Sequence, residues 1–267
     1  MGSRLRLVFI TGTDTGVGKT LLTALLLCHL RARGRRAVAL KPFCSGGRAD
    51  AELLCELQTG DLTLDEINPF YFPEPVAPLV SARKHRTRIS LKQVVHHIDA
   101  IAARVSRIPK PSPWLSETGE AKVKTENYLL IEGSGGLLVP LGKGYTVGDL
   151  IARLGCDVLV VSHNRLGTIN HTLLTAQALT KPIPHSASRV PRADRSILHP
   201  QHSALKVVLM DSASRDISSR TNPAILAELL APLPLVRVPF LGPDCASAAA
   251  LKTIAKKIKK TLARILV

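Results

Sequence analysis

A glycine-rich loop lies between an apolar run and a strongly apolar helical segment, and it limits the folds open to this chain. The loop reads Gly-Thr-Asp-Thr-Gly-Val-Gly-Lys-Thr over residues 12–20, after Leu-Val-Phe-Ile at 7–10 and before Leu-Leu-Thr-Ala-Leu-Leu-Leu at 21–27. A buried strand, such a loop and a helix that begins at Lys-Thr together hold phosphates on backbone N–H groups. We therefore predict that the chain binds a nucleoside triphosphate, with Lys19 at the β- and γ-phosphates and the Thr20 hydroxyl on Mg²⁺.

The loop departs from the strict phosphate-loop spacing at one position. Thr13 stands where the pattern has a glycine five positions before Gly18, and the loop glycine is Gly12 instead. Asp14 occupies the position at which ATPases that partition DNA or place division septa carry a lysine, so their additional lysine is missing. Because the flanking strand and helix signals are present, the motif is interpreted as a phosphate loop rather than a chance match.

Length and composition fit one α/β domain over residues 1–267. A chain of this length can bury one large core, and its 3% aromatic content within 45% hydrophobic residues suits aliphatic parallel strands covered by helices. Short apolar runs alternate with longer amphipathic stretches, as in right-handed βαβ units. After the first strand we predict strands at 36–40, 129–132, 158–161, 207–210 and 235–238, and helices at 20–33, 91–105, 170–179 and 222–230. The predicted class is α/β, a mostly parallel sheet of the P-loop NTPase type with helices on both faces.

Three segments fall outside this alternation. Those near 108–124 and 181–202 are rich in proline, charged and polar residues and are predicted to be inserted surface loops. At 251–262, apolar residues recur at helical spacing with lysines on the other face, which predicts a basic amphipathic helix. Its apolar stripe is expected to dock on the core, and the alternative is that it lies on an anionic membrane.

Bulk properties limit the partners and the compartment. The longest apolar stretches fall short of the ~20 residues that span a bilayer, and the N-terminus lacks a secretory leader, so we expect no membrane segment. Five scattered cysteines without a Cys-x-x-Cys pair indicate free thiols and a cytoplasmic location. The net charge of +16 indicates a solvated basic surface rather than a dedicated nucleic-acid site, because aromatic residues for base stacking are scarce.

Charged side chains follow two of the predicted strands. Lys41 comes directly after the second strand, and Glu132 ends the third before the run Gly-Ser-Gly-Gly. Because ligands bind beyond the carboxyl ends of parallel strands, we expect Lys41 to face the phosphates. Phosphate-bound Mg²⁺ needs one or two carboxylates, for which Glu132 and Asp50 are the candidates. The alternatives are that Glu132 faces solvent and that Asp50 caps the helix that follows it.

These residues closely resemble the dethiobiotin synthetase family, ATP- and Mg²⁺-dependent ligases that close the ureido ring of dethiobiotin from 7,8-diaminononanoate and CO₂ in biotin synthesis. The resemblance extends over about residues 8–241, apart from the two inserted loops. Its blocks, in the family's order, lie at 12–20, 41–46, 68–78, 132–141 and 166–177. Alternative functions are a related P-loop ATPase of the amidoligase type, and a non-catalytic nucleotide switch or nucleic-acid-binding protein.

The resemblance implies roles for individual residues. The catalytic residues would be Thr15 and Ser45, which contact the diamine or its carbamate, and Lys19 and Lys41, which neutralise charge on the transferring phosphoryl group. The metal ligands would be Thr20, Asp50 and Glu132. The residues that bind the nucleotide would be Gly16, Val17, Gly18, Lys19, Thr20, Leu21, Asp50, Glu132, Gly133, Gly135, Asp211, Pro239, Phe240 and Leu241. We expect alanine at Lys19 or Lys41 to remove turnover and to leave the fold intact.

The resemblance also implies a homodimer and an altered base site. The residues that bind substrate would be Ser45 and, for the carboxylate of the substrate held by the neighbouring subunit, Gly167, Thr168, Ile169 and Asn170. A helix N-terminus favours such an anion, and the alternative is that Asn170 only caps its helix. Members of the family usually carry an adenine-reading asparagine where this chain has Met210. We therefore expect ATP to be used, but less exclusively than is usual in the family.

Overall fold

The order of helices and strands follows the predicted alternation. In a computed structural model the chain is described at residues 4–107, 126–180, 204–213, 216–245 and 247–266. The elements are β1 (Leu5–Gly12), α1 (Lys19–Ala32), β2 (Ala37–Leu40), β3 (Phe43–Ser45), α2 (Ala49–Gln58), α3 (Leu64–Ile67), β4 (Phe70–Phe72), α4 (Pro78–Lys84), α5 (Leu91–Arg107), β5 (Asn127–Gly136), β6 (Pro140–Gly142), β7 (Tyr145–Thr146), α6 (Val147–Leu154), β8 (Asp157–His163), α7 (Thr168–Thr180), β9 (Leu205–Met210), α8 (Ser218–Leu230), β10 (Leu235–Val238), α9 (Ala248–Lys257) and α10 (Lys259–Leu266). The predicted loops near 108–124 and 181–202 lie outside the described residues.

Six of these strands form one parallel sheet in the order β10-β9-β8-β1-β5-β2. Every pair in it is parallel, so the carboxyl ends of all six strands share one edge. The strands are almost wholly apolar and buried, as expected where helices cover both faces of a sheet. The predicted fold class is confirmed, and all six strands lie where the sequence places them, with ends shifted by a few residues.

Several short elements were not predicted. The strands β3 and β4 form a parallel pair, and β6 and β7 form an antiparallel hairpin. The helices α3 and α6 each begin with a capping box, made by Thr63 with Glu66 and by Thr146 with Asp149. Elements of two to eight residues give too little periodicity to be found by pattern alone.

The C-terminal basic segment is two helices rather than one. The helix predicted at 251–262 is interrupted at Ile258, between α9 and α10. Its apolar residues Leu251, Ala255 and Leu262 are buried, and α9 and α10 contact α1. The prediction that the apolar stripe docks on the core is confirmed, so that stripe is not free to enter a membrane. Within the described residues, none of the helices is both long and apolar enough to cross a bilayer.

Candidate active site

The phosphate loop joins β1 to α1 at the shared carboxyl edge of the sheet. Gly16 and Gly18 have φ of 73° and 98°, the left-handed region that favours glycine. A Cβ on Gly12 would lie 2.8 Å from Cγ2 of Val17 and 3.0 Å from the carbonyl oxygen of Asp14, so no side chain fits there. The close approach therefore requires glycine at position 12, and the loop tolerates Thr13 one place later.

Lys19 is the first residue of α1 and lies inside the curve of the loop. Its buried ammonium group donates a hydrogen bond to the carbonyl oxygen of Asp14 at 2.7 Å. Burial lowers the pKa of Lys19 to about 8; the charge of Lys41 adds to this, and the carboxylate of Glu132 opposes it. The Lys19 ammonium group that would meet a nucleotide phosphate is therefore partly desolvated, and this disfavours its charged form.

Lys41 and Glu132 form a buried ion pair at the ends of adjacent strands. Leu40 of β2 pairs with Ile131 of β5, so the next residue of each strand lies at the same level. The Lys41 ammonium contacts Glu132 Oε1 and lies 2.8 Å from Asp50 Oδ2. Burial alone would lower the pKa of Lys41, but the two carboxylates outweigh burial and raise that pKa above its usual value. Lys41 therefore stays charged throughout the physiological pH range.

The same carboxylates meet the first turn of α1. The Thr20 hydroxyl donates to Glu132 Oε1 at 2.6 Å. Burial alone would raise the pKa of Asp50, but Lys41, Thr20 and Lys19 together outweigh burial, so that pKa is lowered. Glu132 is buried, so the alternative that it faces solvent is wrong. Asp50 is the second residue of α2, whose N-cap is Arg48, so the alternative that Asp50 caps the helix is also wrong. Two lysines, two carboxylates and a hydroxyl thus converge at one end of the sheet.

These groups line a cleft of ≈ 610 Å³. The predicted site residues on its wall are Thr15, Gly16, Gly18, Lys19, Thr20, Leu21, Lys41, Ser45, Asp50, Glu132 and Gly135. Two buried polar atoms at the cleft, Glu132 Oε2 and Ser45 Oγ, have no hydrogen-bond partner among the described residues. Because buried polar atoms rarely stay unpaired in a finished site, these two indicate where a ligand completes the hydrogen bonding.

Sequence reasoning missed the apolar part of the cleft wall. It is formed by Phe43, Pro75, Val76, Ala77, Pro78 and Val139. A Cβ on Gly46 would lie 2.7 Å from Cβ of Pro75, so this wall packs tightly against the segment after β3. The sequence signal was the group Glu74, Pro75 and Pro78, which belongs to one block of the family resemblance but which that resemblance linked to no function. Apolar residues and charged groups on the wall of one cleft suit a ligand with a polar end and a hydrocarbon chain.

The other predicted residues lie outside this cleft. Val17 is buried, and Gly133 packs on Phe9, where a Cβ would lie 2.9 Å from Cε1. Asp211 follows β9, and the predicted base-side residues at 239–241 follow β10. The helix α7 begins at Thr168, which places Asn170 inside it, so the alternative that Asn170 is only a cap is wrong. The assigned roles of all these residues remain predictions.

A buried hydroxyl cluster that the sequence did not indicate fixes the start of α7. Ser162 Oγ lies 2.6 Å from Thr168 Oγ1 and accepts a hydrogen bond from Thr172 at 2.8 Å. Gly167, immediately before α7, has φ of 88° and turns the chain into the helix. The segment at 167–170 is therefore firmly attached to the end of β8, close to the start of the phosphate loop.

The parallel sheet and its phosphate loop define a P-loop α/β nucleotide-binding protein, and residues 6–190 match the family model described as an AAA domain. The chain is 41% identical over 181 residues to the ATP-dependent dethiobiotin synthetase of Anaeromyxobacter dehalogenans, over 66% of this chain and 72% of that protein. It is 34% identical over 173 residues to the ATP-dependent dethiobiotin synthetase of Methanocaldococcus jannaschii, over 65% and 73% of the two chains. The chain therefore belongs to the ATP-dependent dethiobiotin synthetase family.

Solved structures agree on the fold. The structure of pNOB8 ParA bound to nonspecific DNA superposes with a TM-score of 0.51 at 12% identity, over 97% of this chain and 99% of that one. A second structure of pNOB8 ParA gives a TM-score of 0.54 at 11% identity. At such low identity the likeness supports the P-loop architecture and carries no information about DNA.

Proposed function

We propose that this protein is an ATP-dependent cyclo-ligase that makes dethiobiotin from 7,8-diaminononanoate and CO₂ in biotin biosynthesis. The observation that carries this proposal is the convergence of Lys19, Lys41, Asp50 and Glu132 at one cleft that also has an apolar wall. The charged end suits phosphates and amines, and the apolar wall suits the alkyl chain of the diamine. Family membership supports the same activity, which we place in the cytoplasm, where the free thiols of the chain are stable.

The reaction needs charge stabilisation more than acid–base catalysis. CO₂ adds to one amine to give a carbamate, and a carbamate oxygen attacks the γ-phosphate, releasing ADP. The second amine then attacks the carbamate carbon and expels phosphate as the ring closes. Lys19 and Lys41 stabilise the negative charge that develops on the phosphoryl oxygens, and Thr15 and Ser45 face the carbamate. The unpartnered Ser45 hydroxyl would donate to it.

The residues at the cleft also fit Mg²⁺. Glu132 Oε1 is shared by Lys41 and Thr20, which leaves the buried Oε2 atom without a partner and available as a ligand. With Asp50 and the Thr20 hydroxyl this gives an all-oxygen donor set, which Mg²⁺ prefers. Bound Mg²⁺ would screen the charge of the β- and γ-phosphates. Across the described residues no group of three or more His, Cys, Asp or Glu could hold a metal unaided, so we propose that Mg²⁺ binds together with the nucleotide.

The activity is tested by coupled ADP release in the presence of diaminononanoate, bicarbonate and Mg²⁺. We expect ADP release to require both substrates, with dethiobiotin detected by mass in equal amount, and EDTA to stop it. An amidoligase would need glutamine or ammonia instead, and a nucleotide switch would hydrolyse ATP slowly without the diamine. ADP release that is independent of the diamine would therefore contradict the proposal.

We further propose that the protein is a homodimer. Three large apolar side chains beside the 167–170 segment are strongly exposed: Leu166 at 80%, Leu174 at 58% and Ile217 at 88%. Asp216 accepts a hydrogen bond from the backbone N–H of Leu166 at 2.9 Å, so Leu166 and Ile217 belong to one surface. Exposed apolar residues grouped in this way are typical of subunit interfaces, and a two-fold dimer would bring this surface to its own copy.

The dimer is tested by placing charge on this surface. Leu166→Asp combined with Leu174→Asp is expected to yield a monomer in sedimentation, because a charge in the core of an interface must be desolvated. Turnover should fall at least about tenfold, because the 167–170 segment would no longer bind the substrate of the neighbouring subunit. The matched control is Leu229→Asp at the far end of α8, a leucine that is 52% exposed and so close in exposure to Leu174; this variant should stay dimeric. A wild-type monomer with full activity at assay concentration would overturn the proposal.

A further inference from the structure

The ends of β9 and β10 lie on the side of the sheet away from Lys41 and Glu132. On one side of β1 lie β5, which carries Glu132, and β2, which Lys41 directly follows. On the other side of β1 lie β8, β9 and β10. If the γ-phosphate faces Lys41, as the proposed function requires, the rest of the nucleotide extends towards β9 and β10. Met210 at the end of β9 contacts the loop, with its Cγ 3.4 Å from where a Cβ on Gly18 would be.

Met210 cannot read a base by hydrogen bonds, since a thioether is only a weak acceptor. It is also buried. Two charged side chains at the ends of β9 and β10 are Asp211, directly after β9, and Arg237 on β10. Their positions follow from the strand register, in which Val238 pairs with Met210 and the Asp211 N–H donates to the Val238 carbonyl at 3.0 Å. The sheet thus brings a carboxylate and a guanidinium to the place where the family relies on an amide.

The Asp211 carboxylate is fully used within the protein. Its Oδ1 accepts from Asn164 Nδ2 at 2.8 Å and from Arg237 Nε at 3.0 Å. Its Oδ2 accepts from Arg237 Nε at 2.9 Å and lies 2.8 Å from Arg237 Nη2. The Asp211 side chain is only 5% exposed, whereas that of Arg237 is 46% exposed. What this site presents to a ligand is therefore the outer, donor-only edge of Arg237.

We propose that Arg237 reads the nucleotide base, with Asp211 as the residue that positions it. An arginine offers two parallel donors, and guanine presents two adjacent acceptors, O6 and N7. Adenine presents the N7 acceptor next to the N6 amino donor, which suits an amide and not a guanidinium. The proposal rests on the proposed function for the direction of the nucleotide, and it makes GTP a phosphoryl donor at least as good as ATP.

The test is the nucleotide preference of Arg237→Gln. A glutamine amide both donates and accepts, as adenine requires, so this variant is expected to shift the ATP-to-GTP ratio of kcat/KM towards ATP by about tenfold or more. The matched control is Arg33→Gln, an exposed arginine at the far end of α1, about 21 Å from the loop at 1.5 Å per residue. It removes the same charge and should leave the ratio unchanged. Asp211→Asn should also shift the ATP-to-GTP ratio of kcat/KM towards ATP. Its Tm should not fall correspondingly, which would show that the shift does not come from a loss of stability.

Calorimetric binding of ADP and GDP separates this proposal from the proposed function. Wild-type protein should bind GDP at least as tightly as ADP, and Arg237→Gln should reverse that order, with no substrate present. If these binding results hold and diaminononanoate is not turned over with either triphosphate, the base assignment stands and the proposed function fails. Unchanged preference in Arg237→Gln, or a wild-type kcat/KM that is higher with ATP than with GTP, would overturn the proposal.

Discussion

Replacing Lys41 with methionine is expected to lower kcat by about a thousandfold, because the variant loses a fixed positive charge next to the reacting phosphoryl group. Lys41 is held by Glu132 and Asp50 and keeps its proton at any pH used in an assay, since its pKa is raised. No neighbouring side chain in the described part of the cleft can take over this position, because Lys19 points into the phosphate loop. Turnover under saturating substrates is the measurement.

The same substitution is expected to destabilise the protein. Glu132 is buried, and removal of one partner from a buried ion pair costs about 3–5 kcal/mol because the remaining charge is uncompensated. This changes the expectation from sequence, in which a lysine at a strand end could be removed without effect on the fold. The double variant Lys41→Met with Glu132→Gln removes both charges, so it should recover most of the stability in urea unfolding and still lack turnover.

The matched control is Lys84→Met on α4, a lysine whose side chain is largely exposed and, within the described residues, paired only with Glu74. It should unfold at the wild-type urea concentration and keep wild-type turnover. If Lys41→Met turned over at the wild-type rate, Lys41 would have no part in phosphoryl transfer. If instead the double variant stayed as unstable as Lys41→Met, the loss of stability would have a cause other than the uncompensated carboxylate.

The sequence was sufficient to predict the edge of the sheet at which the site lies, because strand–loop–helix order and strand-end charges are local signals. It could not predict which strands are neighbours. β5 lies between β1 and β2, and only this order brings Lys41 into contact with Glu132. Strand order is decided by packing between elements far apart in sequence, so a single-chain pattern gives the shared edge and not the ion pair.

Local hydrogen bonding limited the prediction elsewhere. Asp50 was interpreted as either a metal ligand or a helix cap, and only the position of Arg48 as N-cap decides against the cap. The pairing of Asp211 with Arg237 depends on the register of β9 with β10, and nothing in the two sequences specifies that register. The sequence therefore predicts where a residue lies when the signal is local. It does not predict a contact between residues that come from different strands.

Nucleotide affinity is expected to weaken as the pH rises above about 8, the pKa to which burial lowers Lys19. Below this pH the ammonium is charged and balances the phosphates, and above it Lys19 is increasingly neutral. Phosphate binding favours the charged form, so nucleotide binding takes up a proton in this range, and the Kd of ADP should rise towards about tenfold per pH unit. Lys41 and Cys44 do not titrate in this range, because the carboxylates of Glu132 and Asp50 raise the pKa of Lys41 and burial raises that of Cys44 to about 11.

Lys19→Met should remove both this pH dependence and catalysis. The variant is expected to bind ADP weakly at every pH from about 6.5 to 9.5, and to lower kcat by about a thousandfold, since the charge that meets the β- and γ-phosphates is gone. Its stability should be unchanged or higher, because in the part of the chain that the structure describes Lys19 hydrogen-bonds only to a backbone carbonyl, and its burial disfavours the charged form. The measurement is the calorimetric Kd of ADP across this pH range, with Lys84→Met as the control variant. A wild-type Kd that stays flat through pH 8, or a Lys19→Met protein with the same slope as the wild type, would show that another group controls the affinity.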